Sequence, residues 1–349
     1  MQSLGVADVI DIVEELERKL VGLWKVKTEH IDTGATLVEK MQKDARKNYD
    51  AGDQMLGDYF TGIKSLDEAI GGLEPGDLMV IGGRPGMGKS SMQNTMNRYA
   101  ILNNIPVYSA SGEMTNLKMG YRAIGALSGF PTNDVQMGKF FGNDKDMLSV
   151  DEAFEKMKKS PILFDGGQLS VPKARKQILL HKSISNTKIF MFDRLGLFQE
   201  VTSVKDGVAA RNNVMAELRA IATAEGVSIV LFSQLVNRVE DRADKRPILS
   251  DFYGGGGTPA NVTKAMMVYR PIYYGMETFP SGPFEGEPSK GRVEMIIEKN
   301  TFGGKDSVLI GFNPLTQSYY ELGDAPEQLS DYPASWDIPR GAGEQPDFI

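Results

Sequence analysis

Apolar residues recur at Val6, Val9, Val13, Leu16, Leu20 and Leu23, three or four positions apart, which is the spacing of one helix face. Acidic side chains crowd the first half of that stretch, where they suit the positive end of the helix dipole. Such a helix is too short to be a domain, so its stripe needs a surface to dock on. A weaker helical pattern runs over 36–49, and 50–62 reads as a loop. From Thr61 the texture changes. Strand-like apolar runs lie at 78–82, 105–110, 161–164, 188–193 and 227–233, with helical stretches such as 91–102 and 215–226 between them. Unbroken apolar strands separated by helices predict an α/β fold, a mainly parallel sheet covered on both faces. After Ser250 the runs "MMVYR", "RVEMIIE", "SVLIGF" and "SYYEL" have short Gly-rich links and predict an antiparallel end to the sheet. From Gly323 onward Pro, Gly, Asp and Glu dominate, which predicts a disordered acidic tail. The expected division is 1–55, helix and connector; 56–322, one α/β domain; and 323–349, tail.

Composition narrows the chemistry. The chain has 349 residues, 41% of them hydrophobic, and no cysteine, which excludes disulfides, thiolate zinc sites and cysteine nucleophiles. His30 and His181 lie too far apart in sequence to suggest a metal pair. No apolar run approaches the roughly 18 residues that span a bilayer, and the N-terminus lacks a secretion signal. The expected location is the cytoplasm of a bacterial cell or an infected host. A net charge of −7 argues against a uniformly basic nucleic-acid surface. It leaves room for a ring with basic groups in a central channel.

One motif carries chemistry by itself. "GGRPGMGKSS" follows a strand and opens a helix, and fits G-x-x-x-x-G-K-[ST] with Gly83, Gly88, Lys89 and Ser90. The run Gly83, Arg84, Pro85, Gly86, Met87, Gly88, Lys89, Ser90 and Ser91 is the expected nucleotide cradle, because glycines let backbone amides close round phosphate. Lys89 would neutralise the outer phosphates of ATP, and Ser90 would hold Mg²⁺. Asp193 ends an apolar strand and is the candidate second metal ligand. Glu113 follows another strand, where it could activate water; it also reads as a carboxylate favoured by a helix start. Gln234 lies past a third strand, placed to sense the γ-phosphate or merely to end the strand. Strand C-terminal ends are where ligands bind in open α/β sheets.

The order of these pieces resembles the C-terminal ATPase domain of DnaB-type replicative helicases, a RecA-like P-loop NTPase fold. The resemblance rests on "TGIKSLDEAIGGLEPGDLMVIGGRPGMGKS", "SGEM", "FMFDRLGLF", "LRAIATAEGVSIVLFSQLVNRVEDRADKRPILSD" and "IIEKNTFGG", and covers roughly Val6 to Glu321. It implies an N-terminal linker helix docked on a neighbouring subunit, and a homo-oligomer, a hexameric ring, that translocates on single-stranded DNA and unwinds duplex. The family's helical N-terminal domain would precede the linker. A chain beginning this close to the linker fits a phage or mobile-element helicase, or a truncated one. Two channel loops are implied. The first, roughly Val201 to Asn213, carries Lys205 and Arg211. The second, Ser250 to Thr263, carries Gly254, Gly255, Gly256 and Gly257. It departs from the family's charged loop, and its Phe252 and Tyr253 could stack on bases.

The family also places a Lys, and a basic finger two residues later, in the neighbour's ATP site. Lys299 matches the Lys, but the finger position is Thr301, which carries no charge. Lys305 or Arg292 could substitute, or the site could hydrolyse slowly. Lys299 acting in trans with help from Lys305 is the expectation. Implied partners include polymerase, primase, loader and single-strand-binding protein. Two other readings share these residues: a RecA- or RadA-type recombination or branch-migration ATPase, and a non-hydrolysing nucleotide-binding ring or loader.

Overall fold

The protein is described from a computed structural model covering residues 33–50, 57, 59, 61–252, 261–301 and 303–324. The expected linker helix over 6–24, Tyr253, the tetrad Gly254 to Gly257, and residues 325–349 lie outside the described residues. The chain divides into two units, Met1–Gln54 and Met55–Ile349. In the first, helix α1 (Gly34–Asp50) matches the weaker helical pattern. Thr33 caps it, with its Oγ1 accepting from Thr36 N at 3.3 Å.

The second unit holds a nine-stranded sheet, in chain order β1 (Leu78–Gly83), β2 (Val107–Ser111), β3 (Leu163–Asp165), β4 (Ile189–Asp193), β5 (Ser228–Gln234), β6 (Lys264–Tyr269), β7 (Arg292–Asn300), β8 (Asp306–Asn313) and β9 (Ser318–Tyr320). The spatial order is β3-β2-β4-β5-β1-β6-β7-β8-β9. Strands β3 to β6 of that order pair in parallel, and β7, β8 and β9 are added antiparallel. The sequence pattern put "MMVYR" in the antiparallel end. It is β6, parallel to β1, and the antiparallel part begins one strand later.

Helices cover both faces: α2 (Lys64–Ile70) and α3 (Lys89–Leu102) on one, α7 (Val171–Ser185) and α9 (Gly207–Glu225) on the other. Between β2 and β3 lie α4 (Asn116–Ser128), α5 (Thr132–Gln136) and α6 (Asp144–Lys159), and α8 is a single turn, Gln199–Thr202. Period-2 geometry persists inside the continuous apolar runs. Leu78 and Val80 face one core with Phe190, Phe192, Ile229 and Leu231; Met79 and Ile81 face the other with Ile189, Met191, Val230 and Phe232. The α4–α6 insert has its own small core of Ile124, Val135, Phe140, Val150 and Ala153. Among the described residues no helix is long and apolar enough to cross a membrane.

Two loop expectations change. Residues 201–213 are largely helical, because Asp206 caps α9, its Oδ1 accepting from Val208 N and Ala209 N. Arg211 therefore sits on α9, while Lys205 is exposed in the turn before it. Phe252 is only 1% exposed, packed against Gly82 and Leu235, so it is not available to stack on bases.

The start of the domain is held by a buried carboxylate. Asp67 accepts from Thr61 N at 2.6 Å and Gly62 N at 3.0 Å. Burial pushes its pKa up from 3.8 to about 6, against the opposing pull of those N–H groups. The folded state therefore holds a proton that the unfolded chain has released between these two values. The stabilisation from this group is full below the unfolded value and is lost as pH rises through the folded one. Urea unfolding should show the parent losing about 1 kcal/mol between pH 5 and 7 relative to Asp67→Asn. Parallel pH curves for the two proteins would contradict this.

Candidate nucleotide site

Parallel pairing brings four strand ends together. Gly83 of β1 pairs with Gln234 of β5, Asp193 of β4 with Phe232, and Ser111 of β2 with Asp193. Beyond Gly83 the chain turns through 84–88 and enters α3 at Lys89. Gly88 has φ +108, and an added Cβ would meet the Tyr319 hydroxyl at 2.1 Å, so only glycine fits. No side chain caps α3. Its first amides are left to an anion, at the positive end of the helix.

The side chains follow from these ends. Lys89 Nζ, 8% exposed as a residue, donates to Gly83 O at 2.9 Å and Arg84 O at 3.1 Å. Burial lowers its pKa to about 8, while nearby Asp193 and Glu113 resist that shift. Ser90 Oγ donates to Asp193 Oδ2 at 2.7 Å. Burial raises the Asp193 carboxyl, and the Ser90 hydrogen bond pulls it back. Its other oxygen, Oδ1, is buried without a hydrogen-bond partner. A hydroxyl beside an orphaned carboxylate oxygen is an all-oxygen donor set of the kind Mg²⁺ takes. Among the described residues there is no cluster of three or more His, Cys, Asp or Glu, so any metal here relies on these two side chains with water and phosphate oxygens.

Three arginines complete the site, none of them foreseen from the sequence. Arg194, joined to Asp193 by a cis peptide, places Nε 2.9 Å from Glu113 Oε1 and Nη1 2.5 Å from Gln234 Oε1. It links the two candidate groups that the sequence could only list separately. Arg122, on α4, has Nη1 buried with no hydrogen-bond partner, and burial lowers its pKa against the pull of Asp193 and Glu113. Arg270, just past β6, lies 4.0 Å over the Phe312 ring and donates to Gly86 O at 3.4 Å. These groups line a cleft of about 390 Å³ with Pro85, Gly86, Gly88, Ser91, Pro314 and Gln317. A signal existed for two of them: Arg194 follows Asp193 directly, and Arg270 ends a strand as Asp193 does. Arg122 lies mid-helix and gave none.

Other expected residues lie elsewhere. The Arg84 side chain turns from the cleft to Glu240 and Leu235. Lys299 pairs with Ala265 near the end of antiparallel β7, toward the N-terminal ends of the parallel strands and away from its own phosphate loop. Its pKa is lowered by burial and by Arg219. Thr301, exposed in the turn just past β7, donates from Oγ1 to Thr263 O at 2.8 Å. Lys305 pairs with Glu298 at 2.7 Å. Arg292 pairs with Glu287 at 2.7 Å at the opposite end of β7, which takes it out of the neighbourhood of Lys299.

Comparison with known proteins agrees with this fold. A family profile described as "DnaB-like helicase C terminal domain" matches residues 59–321. A replicative DNA helicase DnaB of Pasteurella multocida is 24% identical over 333 residues, spanning 93% of this chain and 69% of the relative. One from Helicobacter pylori is 26% identical over 291 residues, spanning 82% of this chain and 59% of the relative. A solved structure of an isolated ATPase domain superposes with a TM-score of 0.72 at 22% identity, covering 83% of this chain and all of that one. A structure of a DnaB-like replicative helicase and its interactions with primase gives 0.70 at 22% identity, covering 91% of this chain and 72% of that one. Both likenesses establish the shared fold.

Proposed function

The chain belongs to the DnaB-like helicase C-terminal domain family, and from that premise we propose that it is an ATP-driven DNA helicase motor that assembles as a hexamer on single-stranded DNA. The observation that carries the reading is that Lys89, Ser90 and Glu113 line one basic cleft, with Asp193 bonded to Ser90 and Gln234 bonded to Arg194 behind its wall. Lys89, the α3 amides, Arg122 and Arg270 hold the phosphates of ATP, and Phe312 and Pro314 supply an apolar wall. Mg²⁺ held by Ser90 and Asp193 would neutralise charge on the β- and γ-phosphates. Glu113 takes a proton from water as the water oxygen bonds to the γ-phosphorus. The bond from that phosphorus to the bridging oxygen breaks, and ADP leaves with the electron pair. Gln234, hydrogen-bonded to Arg194, reports the γ-phosphate through the same arginine that holds Glu113.

Assembly is supported by exposed apolar side chains. Leu117, Met137, Phe141 and Leu148, all on the α4–α6 insert, are 66%, 68%, 71% and 62% exposed. Apolar exposure gathered on one insert marks an interaction surface. Its proposed occupant is the amphipathic stripe of residues 6–24 from a neighbouring subunit, whose Val and Leu side chains complement it. Lys299 then acts in trans on the neighbour's γ-phosphate. Lys305, already paired with Glu298, is the weaker candidate. Lys205, exposed in the turn before α9, and Arg211 on α9 are the proposed cations of the first DNA loop. The stretch Ser250 to Thr263 remains the proposed second DNA loop, with Phe252 buried rather than stacked on bases.

Steady-state ATP turnover with and without oligo(dT) tests the chemistry. The parent should be stimulated by the oligonucleotide. Glu113→Gln should bind ATP as the parent does and lose about 10²–10⁴-fold in turnover, the usual general-base contribution. Parent-level turnover in Glu113→Gln would remove the catalytic assignment. Assembly is tested by sedimentation of Phe141→Asp, a change at an exposed side chain that leaves the domain core intact. The parent should sediment as a hexamer and the variant as smaller species. An unchanged hexamer would place the interface elsewhere.

A further inference from the structure

After Gln234 the chain runs as an arm from Leu235 to Phe252, and this arm is fastened to the phosphate loop. Leu235 N donates to Gly83 O at 3.2 Å. Arg84, 9% exposed, reaches out of the phosphate loop and gives Nη1 to Leu235 O and Nε to Glu240 Oε1, both at 2.9 Å. Glu240 lies on the short turn Asn237–Asp241, and Arg238 of that turn and Arg242 just beyond it converge on Asp251. Asp251 is fully buried. It accepts from Arg242 Nη1 at 2.8 Å, from Arg242 Nη2, from Arg238 Nε at 3.4 Å and from Ile248 N at 2.7 Å. Val236 N donates to Asp251 O at 3.0 Å, so the beginning and end of the arm are joined. The next residue, Phe252, packs on the strand that feeds the phosphate loop. A Cβ added at Gly82 would fall 2.6 Å from its ring.

We propose that Glu240 and Asp251 are positioning residues that make this arm a lever rigidly tied to the phosphate loop through Arg84. The lever carries nucleotide occupancy to Asp251 and Phe252, where the chain enters the glycine-rich stretch. Charge-assisted hydrogen bonds at both ends give the arm its stiffness. The trigger is chemical. Lys89 Nζ donates to Gly83 O and Arg84 O, carbonyls of the two residues from which the arm hangs. A phosphate that draws the ammonium away changes the hydrogen bonding of both. The Arg84 side chain turns away from the cleft, so its guanidinium serves the arm and not the ligand. The inference deepens the proposed function and rests on it for the identity of the DNA that the lever serves.

Glu240→Gln tests it, because the Glu240 side chain is 35% exposed and its loss leaves the core untouched. Amide hydrogen exchange is followed at 84–92 and 244–252, with and without saturating Mg·ATPγS. In the parent both segments should respond. In Glu240→Gln the response at 84–92 should persist and that at 244–252 should vanish, with partial return in Glu240→Asp. Turnover gives the second reading. Basal kcat and KM for ATP should stay within about twofold of the parent, while stimulation by oligo(dT) falls about tenfold. A full response at 244–252 in Glu240→Gln overturns the proposal, as does a basal rate that falls in step with stimulation. No response at 244–252 in the parent overturns it too. A parent that oligo(dT) does not stimulate contradicts the helicase reading instead, and the exchange data still decide the lever.

Discussion

A 2.7 Å hydrogen bond from Ser90 Oγ to Asp193 Oδ2 joins the first turn of α3 to the end of β4 across 103 residues of sequence, and the nucleotide site is built round it. The bond can form only because β1, β5, β4 and β2 run parallel in a register that ends Gly83, Gln234, Asp193 and Ser111 side by side. Two apolar cores, one on each face, hold that register. A slip of one residue would turn every inward side chain to the opposite face. The packing of the sheet and the position of the candidate metal ligands are therefore one constraint.

Charge in the cleft runs against the charge of the chain. The protein carries a net −7, yet Lys89, Arg122, Arg194 and Arg270 gather round the phosphate loop. Burial strips these cations of hydration, which lowers the pKa values of Lys89 and Arg122, and Arg194 and Arg84 lower Lys89 further. Asp193 and Glu113 offset part of that cost. The remaining positive potential suits a polyanion, and a triphosphate would satisfy groups that the protein leaves unsatisfied, such as Arg122 Nη1. Electrostatic preorganisation of this kind is the main contribution a protein makes to phosphoryl transfer.

Much of this was legible in the sequence, for identifiable reasons. The parallel strands announced themselves because strands buried on both faces must be continuously apolar. The phosphate loop was legible because its chemistry belongs to the backbone, and glycine is the residue that such a backbone demands. Arg122 was not, since arginine in mid-helix usually meets solvent and only tertiary packing turns it inward; Arg194 and Arg270 had only their positions at strand ends to mark them. Phe252 looked like a base-stacking ring because nothing local reveals that Gly82 leaves a hole for it. Residues 201–213 read as a loop because Gly207 hides a helix start that the Asp206 cap fixes. The finger expectation turned on Thr301, which carries no charge; within this chain Thr301 bonds to Thr263, and Lys305 and Arg292 pair with carboxylates.

Everything proposed for this chain depends on Ser90 and Asp193 forming a metal-assisted nucleotide site. The most direct test is the affinity of Asp193→Asn for ATPγS, measured by calorimetry with and without Mg²⁺. An amide at 193 can still accept the Ser90 hydrogen bond, so the fold and the phosphate loop should stay in place. Mg²⁺ should tighten binding to the parent, and this gain should disappear in Asp193→Asn, while binding without Mg²⁺ is retained. The parent's full Mg²⁺ dependence in Asp193→Asn would contradict the assignment.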